Sequence, residues 1–210
     1  MPKKEVPFDF LKNFLPEGTL SLVDTLLQTY RVHLTITRER KTLLGDYKHR
    51  IGQHHQISVN GNLNPFAFLL TLLHELAHLI TFEKYGHRVQ AHGAEWKFQY
   101  GQLLGAFLEK KLLPDDLQLA IQQMQKNPAA SSCAEDGLLR VLRRYDSPSK
   151  KTCFVEELPV GTFFKLKDGR VFKRESLLRK RYKCKEMSTG NYYLFSPVHE
   201  VESLGETPIS

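Results

Sequence analysis

Two histidines four residues apart, with a glutamate directly after the first, give the stretch HELAH at residues 74–78 the strongest chemical signal in the chain. On an α-helix, residues i and i+4 lie on one face about 6 Å apart, so both imidazoles can reach one metal ion. Zinc accepts imidazole nitrogens at about 2.0–2.1 Å. The pattern therefore predicts that His74 and His78 bind one Zn²⁺ ion.

Glu75 follows the first histidine and lies at the edge of the same helix face. From there, its carboxylate can reach a water molecule on the metal without being a ligand itself. Zinc lowers the pKa of such a water towards 7, and a carboxylate beside it can take the proton and pass it to a leaving amine. We therefore expect Glu75 to act as a general base.

A catalytic zinc site usually needs a third protein ligand and one open position. Glu83 is about 500° of helix rotation from His78 and points to another face, and His87 follows the predicted helix end too closely to turn back. His92 lies 14 residues after His78, far enough for the chain to leave the helix and return. The spacing favours His92 as the third ligand, with Glu95 as the alternative.

The helix that must carry HELAH is predicted to run from Pro65 to the glycine stop at Gly86, with Asn64 as its cap. It is apolar on nearly all sides, so we expect it to be buried. Unpaired imidazoles and a carboxylate are costly to bury, and a metal ion would remove that cost. This context favours a metal site over a buried helix that carries these residues by chance.

Helices and short strands account for the rest of this part of the chain. Apolar spacings of three and four predict helices in the first 30 residues, and further helices are predicted after His92 and after Pro114. Three short strands are predicted at VHLTIT, KTLLGDYKH and HQISVN. Because these runs are too short for parallel crossovers, we expect an antiparallel three-stranded sheet. The ISVN stretch would then offer an edge to an extended peptide.

Length and composition indicate a soluble globular protein. The 210 residues, 41% hydrophobic and 25% charged, suffice for one sizeable domain or a core domain with a small appendage. No apolar run reaches the roughly 18–20 residues needed to cross a bilayer, and the first ten residues lack signal-peptide features. The three cysteines are far apart in sequence, which suits a reducing compartment. We therefore expect a cytoplasmic protein with no membrane partner.

The positive charge is concentrated in one segment. Residues 138–185 hold 15 Lys/Arg against 5 Asp/Glu, whereas residues 1–137 hold 15 against 14 and residues 186–210 hold none against 4. This distribution indicates contact with a polyanion such as DNA, or a basic surface that only aids solubility. In the densest stretch, one tyrosine could stack on a base while the cations contact phosphates. The candidates for nucleic-acid contact are Lys173, Arg174, Arg179, Lys180, Arg181, Tyr182, Lys183 and Lys185.

A change in composition divides the chain. The small, polar stretch NPAASSCAEDG predicts a core domain over residues 1–127, a linker over 128–137 and a β-rich module over 138–210. In the module we expect a hairpin turning at Asp168-Gly169 and further strands at YKCKEM and NYYLF. The expected core of this module is aromatic and consists of Phe163, Phe164, Phe172, Tyr192, Tyr193 and Phe195.

The stretch HELAHLITFEKYGHRVQAHGAEWK resembles the metallopeptidase core of the SprT-like family, which includes the Spartan proteases. That family pairs H-E-x-x-H with a later H-G-x-x-[WF], here His92 to Trp96, and the resemblance covers roughly residues 18–110. It implies a minimal zincin fold in which His74, His78 and His92 bind zinc and Glu75 is the general base. It also implies proteolysis of proteins crosslinked to DNA, the activity of the best-known members.

The chain departs from the family after the metal site. Many members carry a C-terminal zinc ribbon with two C-x-x-C pairs, whereas here Met187 stands where the partner of Cys184 would be. His199 and Cys184 alone do not make a four-ligand site, so we expect one zinc ion and no second.

These observations lead to one principal prediction and two alternatives. We predict an α+β protein that is a zinc-dependent endopeptidase of SprT-like type, whose targets include DNA-associated proteins. The first alternative is a nucleic-acid-binding protein with a mainly structural zinc. The second is a metallohydrolase that cleaves a non-peptide bond.

Overall fold

The structure is a computed structural model that describes residues 8–40, 42–49, 52–125, 136–147 and 151–205. The chain divides into two compact units, Met1–Asp146 and Ser147–Ser210. Both helices and sheets are present, which confirms the α+β class. The first unit contains helices α1 Phe8–Leu11, α2 Leu20–Thr29, α3 Pro65–Tyr85, α4 Ala94–Glu109, α5 Asp115–Gln125 and α6 Asp136–Arg143, and strands β1 His33–Thr37, β2 Gly45–Lys48 and β3 Gln56–Asn60.

The small sheet of the first unit is mixed, with the strand order β1-β3-β2. Ile57 of β3 lies opposite Leu34 in a parallel pair and opposite Tyr47 in an antiparallel pair. The expectation of an antiparallel sheet was therefore wrong, because β2 itself forms part of the crossover between β1 and β3. The ISVN stretch lies in the central strand, paired on both sides, so the exposed edge near α3 belongs to β2 instead.

Helix α3 is the centre of the first unit. Asn64 caps its start by accepting a hydrogen bond from the Ala67 N–H at 2.9 Å, and Gly86 ends it with a φ of 63°. Every residue from Ala67 to Ala77 is buried, so these three turns are enclosed on all sides. By length and composition alone the segment Pro65–Arg88 could cross a membrane, but 78% of its apolar window is buried inside the protein. The apolar run therefore serves as a core helix here.

Helix α6 belongs to the first unit, which extends beyond the boundary predicted at residue 137. Leu138 and Leu142 are buried in the same cluster as α3. The Asn64 side-chain amide donates to the Leu142 carbonyl at 3.0 Å, which joins α6 to the start of α3. The rise in positive charge begins inside this helix and so does not mark a domain border. Residues 128–135 of the predicted linker lie outside the described residues.

The second unit contains one six-stranded antiparallel sheet with the order β4-β9-β5-β6-β7-β8. The predicted hairpin at Asp168-Gly169 is confirmed, since Phe164 pairs with Phe172 across it and Gly169 has a φ of 95°. The strands are β4 Thr152–Phe154, β5 Phe163–Lys165, β6 Val171–Leu178, β7 Arg181–Glu186, β8 Tyr192–Phe195 and β9 Glu200–Gly205.

The core of this unit is smaller than predicted. Phe163, Phe164, Phe172 and Phe195 are buried as expected. The prediction was wrong for Tyr192 and Tyr193, which remain 51% and 39% exposed: Tyr192 lies on the sheet face away from the buried cluster, and Tyr193 lies at the outer edge of the sheet. Their place in the core is taken by Cys184, which is fully buried against the aromatic rings. Burial raises the pKa of this thiol to about 11, as expected of a cysteine that packs as a small apolar side chain.

Candidate metal centre

Three imidazoles converge on one point at the side of α3. The Nε2 atom of His74 lies 3.2 Å from Nε2 of His78 and 3.2 Å from Nε2 of His92. One ligand atom from each of the three residues lies within 4.8 Å of the other two. Of the two residues considered as third ligand, the structure brings His92 into this group. Glu95 is not part of it in the described portion of the chain.

The turn after α3 places the third imidazole. The chain leaves the helix at Gly86, makes a single 3₁₀ turn over Gly86–Arg88 and reaches His92, which has a φ of 62°. Few residues other than glycine adopt this left-handed conformation, and it costs about 1–3 kcal/mol where the surroundings impose it. Gly93 follows as the N-cap of α4. The strained position turns the His92 side chain back towards α3.

Trp96 forms the wall behind the three imidazoles. Its ring centroid is 4.7 Å from those of His74 and His92 and 5.4 Å from that of His78. The indole is fully buried, and Tyr100 packs against it at 5.0 Å. Trp96 is the third residue of α4, so the start of this helix supplies the wall directly after the turn that places His92. The contacts restrict the rotation of all three imidazole rings.

Burial keeps the three imidazoles neutral. Burial first, and the neighbouring imidazoles second, lower the pKa of His74 to about 3 and that of His78 to about 4. Burial also lowers the pKa of His92. Neutral imidazoles expose nitrogen lone pairs, and His74 Nε2 can donate a hydrogen bond to only one of its two partners. A bound cation would satisfy all three nitrogens, so the donor set fits Zn²⁺.

One atom of the site departs from the usual arrangement of a zinc-binding histidine. The second ring nitrogen of such a histidine commonly donates to a carboxylate or carbonyl group. Here His74 Nδ1 is buried and has no hydrogen-bond partner among the described residues. The orientation of His74 therefore depends on ring packing against Trp96 and Tyr100, at 4.7 and 5.6 Å between centroids.

Glu75 is held against the edge strand β2. Its side chain is buried, with 7% of the residue exposed, and burial raises its pKa to about 8. This pKa already includes the charge of Asp46, which also raises it, and Arg40 and a hydrogen bond from the Tyr47 backbone N–H, which lower it. Sequence reasoning placed β2 correctly but missed this contact. A glycine inside a short strand, Gly45, was the available signal, because such a position often marks the close approach of another group.

The residues predicted to contact nucleic acid do not form one surface. Lys173 and Lys185 lie opposite each other on one face of the second unit's sheet, and Lys183 follows on the same face. Arg174 and Tyr182 belong to the other face, where the guanidinium carbon lies 4.2 Å from the centre of the tyrosine ring. The remaining candidates, Arg179, Lys180 and Arg181, lie in and after the exposed turn between β6 and β7.

A long buried helix with two of three converging histidines, beside a buried glutamate and a short sheet, defines a metallopeptidase-like domain. Residues 19–115 match the family model of the SprT-like family, so this part of the chain is similar to that family. The match confirms the resemblance predicted from the sequence over roughly residues 18–110. No curated protein and no solved structure matches the chain.

Proposed function

We propose that the protein is a zinc-dependent endopeptidase of SprT-like type, in which His74, His78 and His92 hold the metal ion and Glu75 is the general base. The observation that carries the proposal is the convergence of three neutral imidazoles in a domain similar to this family. A nucleophilic side chain is not needed for such a reaction, since bound zinc supplies Lewis acidity and lowers the pKa of a water molecule towards 7.

The chain's own residues would orient the groups and move the proton. Trp96 holds the imidazole rings, and the Tyr47 backbone N–H holds the carboxylate of Glu75. A carboxyl group whose pKa burial has raised to about 8 is a stronger base than an exposed glutamate. A cation among the imidazoles would favour the carboxylate form of Glu75. Its oxygen could then take a proton from water and return it to the departing amine.

Strand β2 is the best candidate to align a peptide substrate. It is an edge of the first unit's sheet, and its residues Gly45 and Tyr47 contact Glu75. An extended peptide could pair with this edge by β-augmentation. The substrate would then lie next to the general base. This assignment replaces the ISVN strand, which is central in the sheet.

We extend the proposal to targets among DNA-associated proteins. Support comes from the charge, since residues 138–185 hold 15 Lys/Arg against 5 Asp/Glu. Such an excess attracts polyanions and would bring the peptidase to proteins on DNA. The competing function is nucleic-acid binding with a structural zinc, which the same charge favours equally.

The test compares the wild type with Glu75→Gln on a protein substrate, with and without DNA. The variant should keep zinc, measured by metal analysis, and lose cleavage, whereas His92→Ala should lose both. Glu83→Gln is a matched control because Glu83 lies on the same helix with a half-exposed side chain that contacts His55. Equal cleavage by the wild type and Glu75→Gln would refute the role of Glu75. Zinc and DNA binding without any cleavage would favour the competing function.

A further inference from the structure

One face of the second unit's sheet combines exposed apolar side chains with lysines that form no ion pair with the described carboxylates. In antiparallel pairs, residues directly opposite each other project from the same face. Lys173 of β6, Lys185 of β7 and Tyr192 of β8 lie opposite one another in a row, and Lys183 and Leu194 form the next row. We call these five residues the lysine–tyrosine face.

This face lies opposite the core of its unit. The buried cluster of Phe172, Cys184 and Phe195 occupies the alternate positions of the same strands. On the lysine–tyrosine face, Tyr192 and Leu194 remain 51% and 53% exposed. Adjacent exposed apolar side chains, rimmed by charged ones, are typical of an interaction site.

The charges on this face are not compensated within the described part of the chain. Lys173 and Lys185 form a direct cross-strand pair of like charge, which destabilises a sheet. None of the described carboxylates forms an ion pair with Lys173, Lys183 or Lys185. The three ammonium groups therefore favour an anionic ligand. Lys183 and Lys185 are two residues apart on one strand, about 6.8 Å, so such a ligand must carry repeated charges.

The aromatic ring indicates what kind of polyanion fits. Lys183 Nζ lies over the Tyr192 ring, 3.9 Å from its centre, so the ammonium group covers one face of a side chain that is still 51% exposed. Single-stranded nucleic acid offers phosphates to the first and an unpaired base to the second. A duplex keeps its bases stacked and could use only the lysines.

We propose that the lysine–tyrosine face binds single-stranded nucleic acid, with Lys173, Lys183 and Lys185 contacting phosphates and Tyr192 stacking on a base. This inference rests on the nucleic-acid part of the proposed function and not on the peptidase chemistry. It also moves the stacking role from Tyr182, which is partly buried against the core of the unit, to the exposed Tyr192.

The test is fluorescence anisotropy of the full chain with labelled oligo-dT, oligo-rU and a duplex of about 20 nucleotides, measured over a series of salt concentrations. Three phosphate contacts predict a slope of log affinity against log salt of about −2 for single strands, at about −0.7 per contact. Replacing all three lysines by glutamine should bring the slope close to zero. Tyr192→Ala should weaken single-strand binding about 5- to 100-fold and leave duplex binding unchanged.

Two variants serve as controls. Tyr193→Ala changes the neighbouring tyrosine on the opposite face, and Lys110→Gln removes an exposed lysine from the first unit. Both should bind as the wild type does. Wild-type affinity in the triple glutamine variant, or no binding by the wild type, would overturn the inference. A third result would also overturn it: the protein binds no oligonucleotide but self-associates, and Leu194→Lys abolishes the self-association. The edge strand β8 would then pair with a second copy of the chain.

The two proposals fail separately. A wild-type protein that cleaves a DNA-free unfolded protein but binds no oligonucleotide removes the inference and leaves the peptidase. One that binds single strands through this face but cleaves nothing removes the peptidase and leaves the inference.

Discussion

Replacing Gly45 by alanine tests whether β2 holds Glu75 in its reactive position. A Cβ atom at residue 45 would lie 2.6 Å from Glu75 Oε1, 2.9 Å from Glu75 Cγ and 2.7 Å from Thr71 Cγ2. Both neighbours belong to α3. Thr71 is fully buried and donates to the Ala67 carbonyl at 2.8 Å, so it has no room to move. The new methyl group must therefore displace Glu75 or push β2 away from the helix.

The size of the effect follows from these distances. Ordinary contact begins at 3.4 Å, so the carboxylate oxygen must move by the difference from 2.6 Å, about 0.8 Å. Overpacking of this kind costs about 1–3 kcal/mol in a packed interior. A displacement near 1 Å at a catalytic group can cost about 100-fold in rate. We therefore expect Gly45→Ala to lower kcat about 10- to 100-fold and Tm by about 3–10 °C.

The assay measures kcat, Tm and zinc content together. Zinc should stay bound, because the three atoms nearest to a Cβ at residue 45 belong to Glu75 and Thr71 and not to the imidazoles. Adding Thr71→Ser removes the methyl contact at 2.7 Å but leaves the clash with Glu75, so it should recover Tm and not kcat. Gly137→Ala is the control, since a Cβ there meets nothing within 4 Å. Wild-type kcat in Gly45→Ala would refute the positioning of Glu75 by β2.

Two further predictions concern stability. In metal-free protein carrying Glu75→Gln, unfolding free energy should fall by about 2 kcal/mol between pH 7 and pH 5 through His74, whose pKa rises from about 3 when folded to 6.5 when unfolded. The contribution of neutral His74 to stability is fully present above pH 6.5 and is lost as the pH falls. Urea titrations at both pH values measure it. If adding His74→Gln left the fall in unfolding free energy unchanged, the prediction would be contradicted. Asn64→Ala should cost about 1–3 kcal/mol by removing the α3 cap and the donor to Leu142, with exposed Asn62→Ala as the control in thermal melts.

The metal centre was the most predictable part of the molecule. Local helix geometry alone brings His74 and His78 onto one face, whatever the rest of the fold does. His92 required only that the chain turn after Gly86, and a glycine stop signals that turn. What the sequence could not show is that His92 takes a left-handed φ of 62°, because this strain depends on the packing of α4 against α3.

The sheets were less predictable because strand pairing is not local. Periodicity located β1, β2 and β3 but carries no information about which strand lies between the other two. The order β1-β3-β2 decides that β2 is the edge beside Glu75. In the second unit, the alternation in YKCKEM was visible, but only the register shows that Lys185 faces Tyr192 and that Tyr182 lies on the other side. The sequence could therefore identify the basic residues but could not predict which of them share one face of the sheet.

The apolar character of α3 is best explained by the site that it carries. Without a metal ion, the buried imidazoles resist protonation and the buried carboxyl resists ionisation, so the site destabilises the fold on both sides of neutral pH. Fully buried side chains such as Leu72, Leu73 and Leu76 flank these residues and offset the cost, at roughly 1.5–3 kcal/mol for each side chain. Zinc would change the balance, because its binding free energy adds to folding wherever the site forms only in the folded state. A helix apolar enough to pass for a membrane span is thus what the core needs in order to enclose three imidazoles and a carboxyl group.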